Sequence, residues 1–184
     1  IPSFNCSLYI HETIDSILAQ EGVEALEIIV VDDGSTDDTV AKARRYGGVV
    51  RVVEQPNAGV SAARNRGIRE ASGDFVALVD HDDYWFPTKL AGQLAAFASH
   101  PEVDVVFSDF RRWHADSPEG PFPPPSVFAQ GASPQGLDPD FSGWIYHQML
   151  LDSWILTSTA LSRAQVFTQS GLFDESLPFS EDWD

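Results

Sequence analysis

Leu26-Glu27-Ile28-Ile29-Val30-Val31-Asp32-Asp33-Gly34-Ser35 decides the fold. Six residues, five of them apolar, stop abruptly at two acids, a glycine and a serine. A strand buried on both faces reads as such a continuous run, because helices cover both sides of a parallel sheet. The pattern repeats at Phe75-Val76-Ala77-Leu78-Val79, which ends at Asp80-His81-Asp82-Asp83, and at Val103 to Phe107, which ends at Asp109.

Helical patterns fill the intervals. Ile10, Ile14, Ile17 and Leu18 share one face of a helix over residues 9–20, with Gly22 able to end it. Thr36 or Asp37 can cap a helix running to about Tyr46, broken by Gly47-Gly48. Val49 to Glu54 is a short strand, Pro56 to Gly59 a turn, and Val60 to Ala71 a helix with alanines on one side. Pro87 suits the first turn of a helix that runs to about Ser99. Strand and helix alternating at this spacing predict an α/β domain with a mainly parallel central sheet. Beyond Arg111 the pattern changes: seven prolines between Ser117 and Pro139 exclude regular helix or strand. Trp144 to Leu151 suits a helix, Leu156 to Leu161 a strand and Ala164 to Ser170 a short helix.

Composition narrows the function. With 28 acidic and 11 basic residues the formal net charge is -17. Such a surface repels phosphate backbones, which argues against nucleic acid and against docking on anionic lipid. An anionic nucleotide remains compatible where a divalent cation offsets the repulsion. The single cysteine, Cys6, excludes a disulfide framework and suits a reducing compartment. No apolar run approaches the ~18 residues that a membrane span needs. A cytoplasmic location, at most peripheral at the inner membrane face, is expected.

The acids matter by position. In parallel α/β sheets ligands bind at the carboxyl ends of the strands, and Asp32-Asp33, Asp80 to Asp83 and Asp109 all fall there. Carboxylates converging on one sheet edge repel one another, and Mg²⁺ or Mn²⁺, which prefer oxygen ligands, relieve that repulsion. Asp-Asp-Gly-Ser is also good turn chemistry, so each cluster alone has a structural reading. Together at one edge they favour a site.

The ordered motifs resemble family 2 glycosyltransferases of the GT-A fold, a Rossmann-like three-layer sandwich. They are Pro2-Ser3-Phe4-Asn5, Ser16 to Gln20, Glu27 to Thr39, Asn57 to Asn65, Asp80-His81-Asp82-Asp83 as an Asp-x-Asp motif, Gly171 to Glu175, and Glu181-Asp182-Trp183. The resemblance covers nearly the whole chain. It implies a metal-dependent, inverting transfer of a sugar from a nucleotide-diphospho-sugar, UDP-linked by family frequency, to a carbohydrate or lipid-linked acceptor. Such chemistry belongs to cell-wall or polysaccharide synthesis. Nucleotide-binding roles fall to Pro2, Phe4 (against the base), Asp33 (accepting from the base), Arg64 and Asp80. Asp82, with Asp80, would hold Mn²⁺ or Mg²⁺; His81 occupies the variable middle position. Asp182 is the implied general base, with Glu181 orienting it or the acceptor; the pair also suits a helix start. Trp85 and Trp183 suit either sugar-stacking surfaces or core.

The resemblance implies one catalytic domain over residues 1–184, divided into a nucleotide-binding half (1–110) and an acceptor-side half (111–184). Without an initiator Met, and closing on Asp184 where the family continues, the chain reads as shortened at both ends. No Gln-x-x-Arg-Trp block marks a processive synthase. A haloacid-dehalogenase-like phosphatase would need Asp-x-Asp at the first strand, whereas Asp32 and Asp33 are adjacent. A non-catalytic nucleotide- or sugar-binding module would keep Asp33 and Asp82 without requiring Asp182.

Overall fold

The computed structural model describes residues 1–113, 142–143 and 155–177. Its elements run β1 (Pro2–Ser3), α1 (Ile10–Leu18), β2 (Ile28–Asp32), α2 (Thr39–Ala43), a 3-10 segment (Arg44–Val49), β3 (Val50–Glu54), α3 (Val60–Glu70), β4 (Phe75–Ala77), α4 (Lys89–Ser99) and β5 (Val105–Phe107). A 3-10 turn (Thr157–Thr159) then leads into β6 (Ala160–Arg163) and α5 (Gln165–Gln169).

β1, β2 and β3 form a parallel sheet in that order, with Val31 opposite Pro2 and Val53. All five residues of β2 are buried, as the apolar run requires. Its two faces serve two cores. Ile28 and Val30 pack with Ile10, Ile14 and Ile17 of α1, while Ile29 and Val31 pack against Ala63 of α3. Ile10, Ile14, Val30 and Val31 are essentially sealed from water, and full burial of such a side chain contributes roughly 1.5–3 kcal/mol. The α1 cluster also takes in Val79, Leu90, Phe97, Val106 and Leu161, so one core joins β2 to the second half of the described chain.

The expected parallel sheet is β1 to β3, and the second half adds a sheet of another kind beside it. β4, β6 and β5 form a second three-stranded sheet, and β6 lies between the other two, antiparallel to both. The late strand inserts centrally because Leu161 faces the shared core and its neighbours close both of its edges. The parallel sheet is therefore three strands, and β4 and β5 run in the same direction on either side of the reversed β6.

Smaller boundaries move for local reasons. α2 stops at Ala43 and passes into 3-10 geometry, with Gly47 at φ 59° turning the chain toward β3. The helix begins at Thr39 with Asp38, and neither Thr36 nor Asp37, in the N-cap position; Asp37 accepts the Thr39 N–H at 3.0 Å from one residue further out. α4 begins at Lys89, leaving Pro87 ahead of the helix, where its carbonyl accepts the Glu21 N–H at 2.8 Å. Residues 157–159 turn instead of extending, and the strand expected from Leu156 starts at Ala160. The proline-rich stretch 117–139 and the expected helix at 144–151 lie outside the described residues.

Candidate active site

β2 delivers two adjacent acids that do different work. Asp32 performs the turn: its Oδ2 accepts the Ser35 N–H at 3.0 Å, while Oδ1 is buried without a partner. Asp33 is only 3% exposed and organises the loop between β3 and α3. Its Oδ1 accepts from Gln55 Nε2 (2.8 Å) and the Ala58 N–H (2.9 Å), and its Oδ2 from the Gly59 N–H (2.8 Å). Asn57 Nδ2 donates to the Asp33 carbonyl at 2.9 Å. A carboxylate has about four lone-pair positions, so the chain's own donors occupy most of Asp33. Gly34, at φ +80°, sits where an added Cβ would lie 2.9 Å from the Asn57 backbone nitrogen. Close approach and positive φ together require glycine there.

The β1 end carries an exposed aromatic on a fixed frame. Phe4 is 46% exposed, although its neighbour Ser3 is buried. Asn5, in positive φ, donates its N–H to Ser35 Oγ (2.9 Å) and accepts the Thr36 N–H on Oδ1 (2.8 Å). The next turn is tied down by Asp37, which accepts the Ser7 N–H at 3.0 Å. Loss of solvent works to raise the Asp37 carboxyl, but hydrogen bonds from Thr39 and Ser7 outweigh it and hold it at about 2. Phe4 is thus presented to solvent by backbone pinned on both sides.

The acids after β4 meet both features. His81 Nδ1 lies 3.3 Å from the Pro2 carbonyl, and the His81 carbonyl accepts from Thr13 Oγ1 at 2.8 Å, so the 80–83 turn is tied to the chain just before Phe4. Asp80 Oδ1 accepts from Arg64 Nη2 at 3.0 Å. Arg64 is 4% exposed, and its guanidinium carbon stands 5.5 Å from the centre of the Phe173 ring. The Asp80 N–H donates to Ser158 Oγ at 3.0 Å. Asp82 and Asp83 are exposed. Although part of Asp83 reaches solvent, the protein crowded around its carboxyl raises its pKa; a hydrogen bond with Ser158 opposes this, and the Asp80 and Asp82 charges add to it.

Trp85 belongs to the core and not to a sugar-binding surface. It is 4% exposed, its indole N–H donates to the Ser158 carbonyl at 2.9 Å, and its backbone N–H to Ser16 Oγ at 3.1 Å. Lys89 lays its ammonium over this ring at 4.2 Å and donates to Gln93 Oε1 at 2.9 Å. Burial depresses its pKa to about 7.

The structure therefore brings together Pro2, Asp80 and Arg64, and Phe4 and Asp33 stand on backbone joined to that frame. Asp109 follows β5, where its carboxylate accepts the Phe110 N–H at 2.8 Å. Glu181, Asp182 and Trp183 lie outside the described residues. Sequence reasoning missed Gln55 and Ser158. Gln55 had a weak signal, directly before a turn; Ser158 had none, since its partner Asp80 is 78 residues away.

Among the described residues no three His, Cys, Asp or Glu side chains converge to hold a metal. Asp80 and Asp82 still fit a divalent cation in a narrower sense. They are hard oxygen donors on one short turn, with a third acid, Asp83, beside them. Mg²⁺ typically takes only one or two carboxylates and fills its shell with phosphate and water, so such a pair suits an ion that arrives with a diphosphate.

Solved structures share this architecture. Staphylococcus aureus TarS 1-349 in complex with UDP-GlcNAc superposes with a TM-score of 0.75 at 26% identity, over 99% of this chain and 49% of that one. The mannosyltransferase PcManGT from Pyrobaculum calidifontis, in complex with GDP-Man and Mn²⁺, gives 0.67 at 23% identity, over 96% and 46%. The fold is thus the GT-A fold of nucleotide-sugar glycosyltransferases. A family model, Glycosyl transferase family 2, matches residues 1–149, and the chain belongs to that family. Relatives include an uncharacterised glycosyltransferase of Rickettsia typhi, 35% identical over all of this chain and 55% of the relative. Another is the uncharacterised glycosyltransferase EpsJ of Bacillus subtilis, 31% identical over 99% and 52%. The chain spans about half the length of these relatives. No helix among the described residues is long and apolar enough to cross a membrane.

Proposed function

We propose that this chain is the donor-binding and catalytic part of a glycosyltransferase that moves a sugar from a nucleoside-diphosphate donor to an acceptor hydroxyl with inversion. The observation that carries the reading is the tie between His81 and the Pro2 carbonyl. It ties the Asp80-to-Asp83 turn to the strand that leads into the exposed Phe4, which supports reading a base-stacking face and a diphosphate-side acid turn on one frame.

In this reading Phe4 stacks on the base. Asp33 shapes the 55–59 loop around it and offers its one remaining lone-pair position to a base N–H. Asp80 is held by Arg64 and Ser158 toward the ribose and the ion. Asp82 and Asp80 would hold Mn²⁺ or Mg²⁺, which when bound offsets charge on the departing diphosphate. Asp182 takes the proton of the acceptor hydroxyl as its oxygen bonds to the anomeric carbon. The bond from that carbon to the diphosphate oxygen breaks on the opposite face, and the nucleoside diphosphate leaves with the electron pair. Glu181 orients the base or the acceptor. The UDP-GlcNAc held by the TarS structure favours a UDP-linked donor, and the 34% identity to Pasteurella multocida chondroitin synthase, over 63% of this chain and 12% of that protein, favours a carbohydrate acceptor.

Asp182→Asn tests the assignment of the base. The variant should bind UDP with Mn²⁺ within about twofold of wild type yet lose donor turnover by at least a hundredfold, in line with the ~10²–10⁴ typical of a general base. Equal loss of binding and turnover would remove Asp182 from that role.

A further inference from the structure

α3 does more than cover the sheet. Asn65, 1% exposed, spends its whole side-chain amide on one distant segment. Its Oδ1 accepts the Phe173 N–H at 2.9 Å. Its Nδ2 donates to the Phe173 carbonyl at 2.9 Å and to Glu175 Oε1 at 2.8 Å. The side-chain amide therefore pairs with the Phe173 backbone in both directions, as a neighbouring strand would. One turn along the helix, Arg69 Nη2 stands 3.7 Å from the same Glu175 carboxylate. The preceding residue, Arg64, reaches the Phe173 ring with its guanidinium and Asp80 with its Nη2. Two adjacent residues of one helix thus grip Phe173 by backbone and ring, and one of them also grips the donor-side acid.

We infer that Asn65 is a positioning residue, whose amide anchors residues 173–175 to α3 and so fixes the acceptor-side chain relative to Asp80. The inference rests on the glycosyltransferase reading above. Asp182 follows Glu175 by seven residues, a tether of at most ~25 Å at full extension. The Asn65 bonds go to Phe173 and Glu175 and to none of Phe4, Asp33 or Asp80, so their loss falls first on the acceptor-side chain. Removal of the anchor should therefore act on turnover and not on nucleotide affinity.

The test compares wild type, Asn65→Asp and Glu175→Ala. Asn65→Asp keeps the shape, loses both donations and sets a second carboxylate against Glu175. Glu175→Ala removes the Asn65 hydrogen bond and the Arg69 ion pair at an exposed position, leaves both Asn65 bonds to the Phe173 backbone, and spares the fold. The readouts are UDP affinity with Mn²⁺, exchange of the Phe173 amide, and hydrolysis of whichever of UDP-GlcNAc, UDP-glucose or GDP-mannose wild type turns over fastest. In Asn65→Asp, kcat should fall by about tenfold to a hundredfold, the scale of a reacting group misplaced by ~1 Å. The Phe173 amide should exchange at least tenfold faster, with UDP affinity within twofold of wild type. Glu175→Ala should move kcat and exchange in the same direction by a smaller factor. Unchanged kcat in variants that bind UDP normally and exchange Phe173 freely would overturn the inference alone, as would a parallel fall of kcat and UDP affinity. A folded wild type that binds no UDP would overturn the nucleotide reading, and this inference with it.

Discussion

Asp33→Asn isolates the loop-organising role of the buried carboxylate. The side chain receives three hydrogen bonds, two on Oδ1 and one on Oδ2, and is almost fully buried. An amide keeps one carbonyl oxygen. It can serve either the Gln55 and Ala58 donors or the Gly59 donor, and its NH₂ then faces an N–H on the other side. A hydrogen bond to a charged group contributes about 1.5–3 kcal/mol, and an abandoned buried donor costs about 1–3 kcal/mol. These terms overlap, so the expected loss is ~2–4 kcal/mol. At this chain length 1 kcal/mol moves Tm by about 2–4 °C, giving a fall of ~10 °C by calorimetry or circular dichroism. Asp32→Asn is the matched control, with the same charge change one residue away. Its Oδ2 accepts a single bond and its Oδ1 none, so an amide oxygen can keep that bond and stability should stay within ~1 kcal/mol. Equal Tm for Asp33→Asn and wild type, or equal losses for the two variants, would refute the reasoning.

Two further outcomes follow from other contacts. Phe4→Ala should weaken UDP binding fivefold or more, because base stacking on an aromatic contributes ~1–3 kcal/mol. It should leave Tm nearly unchanged, since the ring is half exposed; unchanged affinity in a titration would remove Phe4 from the base site. For Lys89, burial lowers the folded pKa to about 7 from its ordinary 10.5. Between those values the unfolded chain binds the extra proton, so this residue makes stability rise with pH across that window. Urea unfolding at pH 7 and pH 9 should show a rise in wild type that is diminished in Lys89→Met; equal pH slopes would contradict it.

Much of the donor side was legible in the sequence, because its signals are local. A continuous apolar run that stops at two acids gives both a buried parallel strand and the edge where ligands bind, and β2 with Asp32 and Asp33 follows that pattern. The 60–70 helix was legible from its alanines, of which Ala63 packs on β2. The division of labour between the two acids was not: turn and site chemistry look alike until the donors from Gln55, Ala58 and Gly59 are in place. The reversed β6 was illegible because Ala160-Leu161-Ser162-Arg163 has no feature that sets its direction; its neighbours on both edges do. Trp85 kept two readings open because an aromatic beside an acid turn carries no mark of burial. Asn65 lay inside a recognised motif without a role, since its partner Phe173 is 108 residues distant.

The central claim, a nucleoside-diphosphate site built on the Asp80-to-Asp83 turn, is tested most directly by calorimetric titration with UDP. Wild type is titrated with Mn²⁺ and then with a chelator, and Asp82→Ala is titrated alongside. The account predicts binding that strengthens at least tenfold with Mn²⁺ in wild type and loses that dependence in Asp82→Ala. Binding of equal strength with and without Mn²⁺, or no binding by the folded wild-type chain, would contradict it.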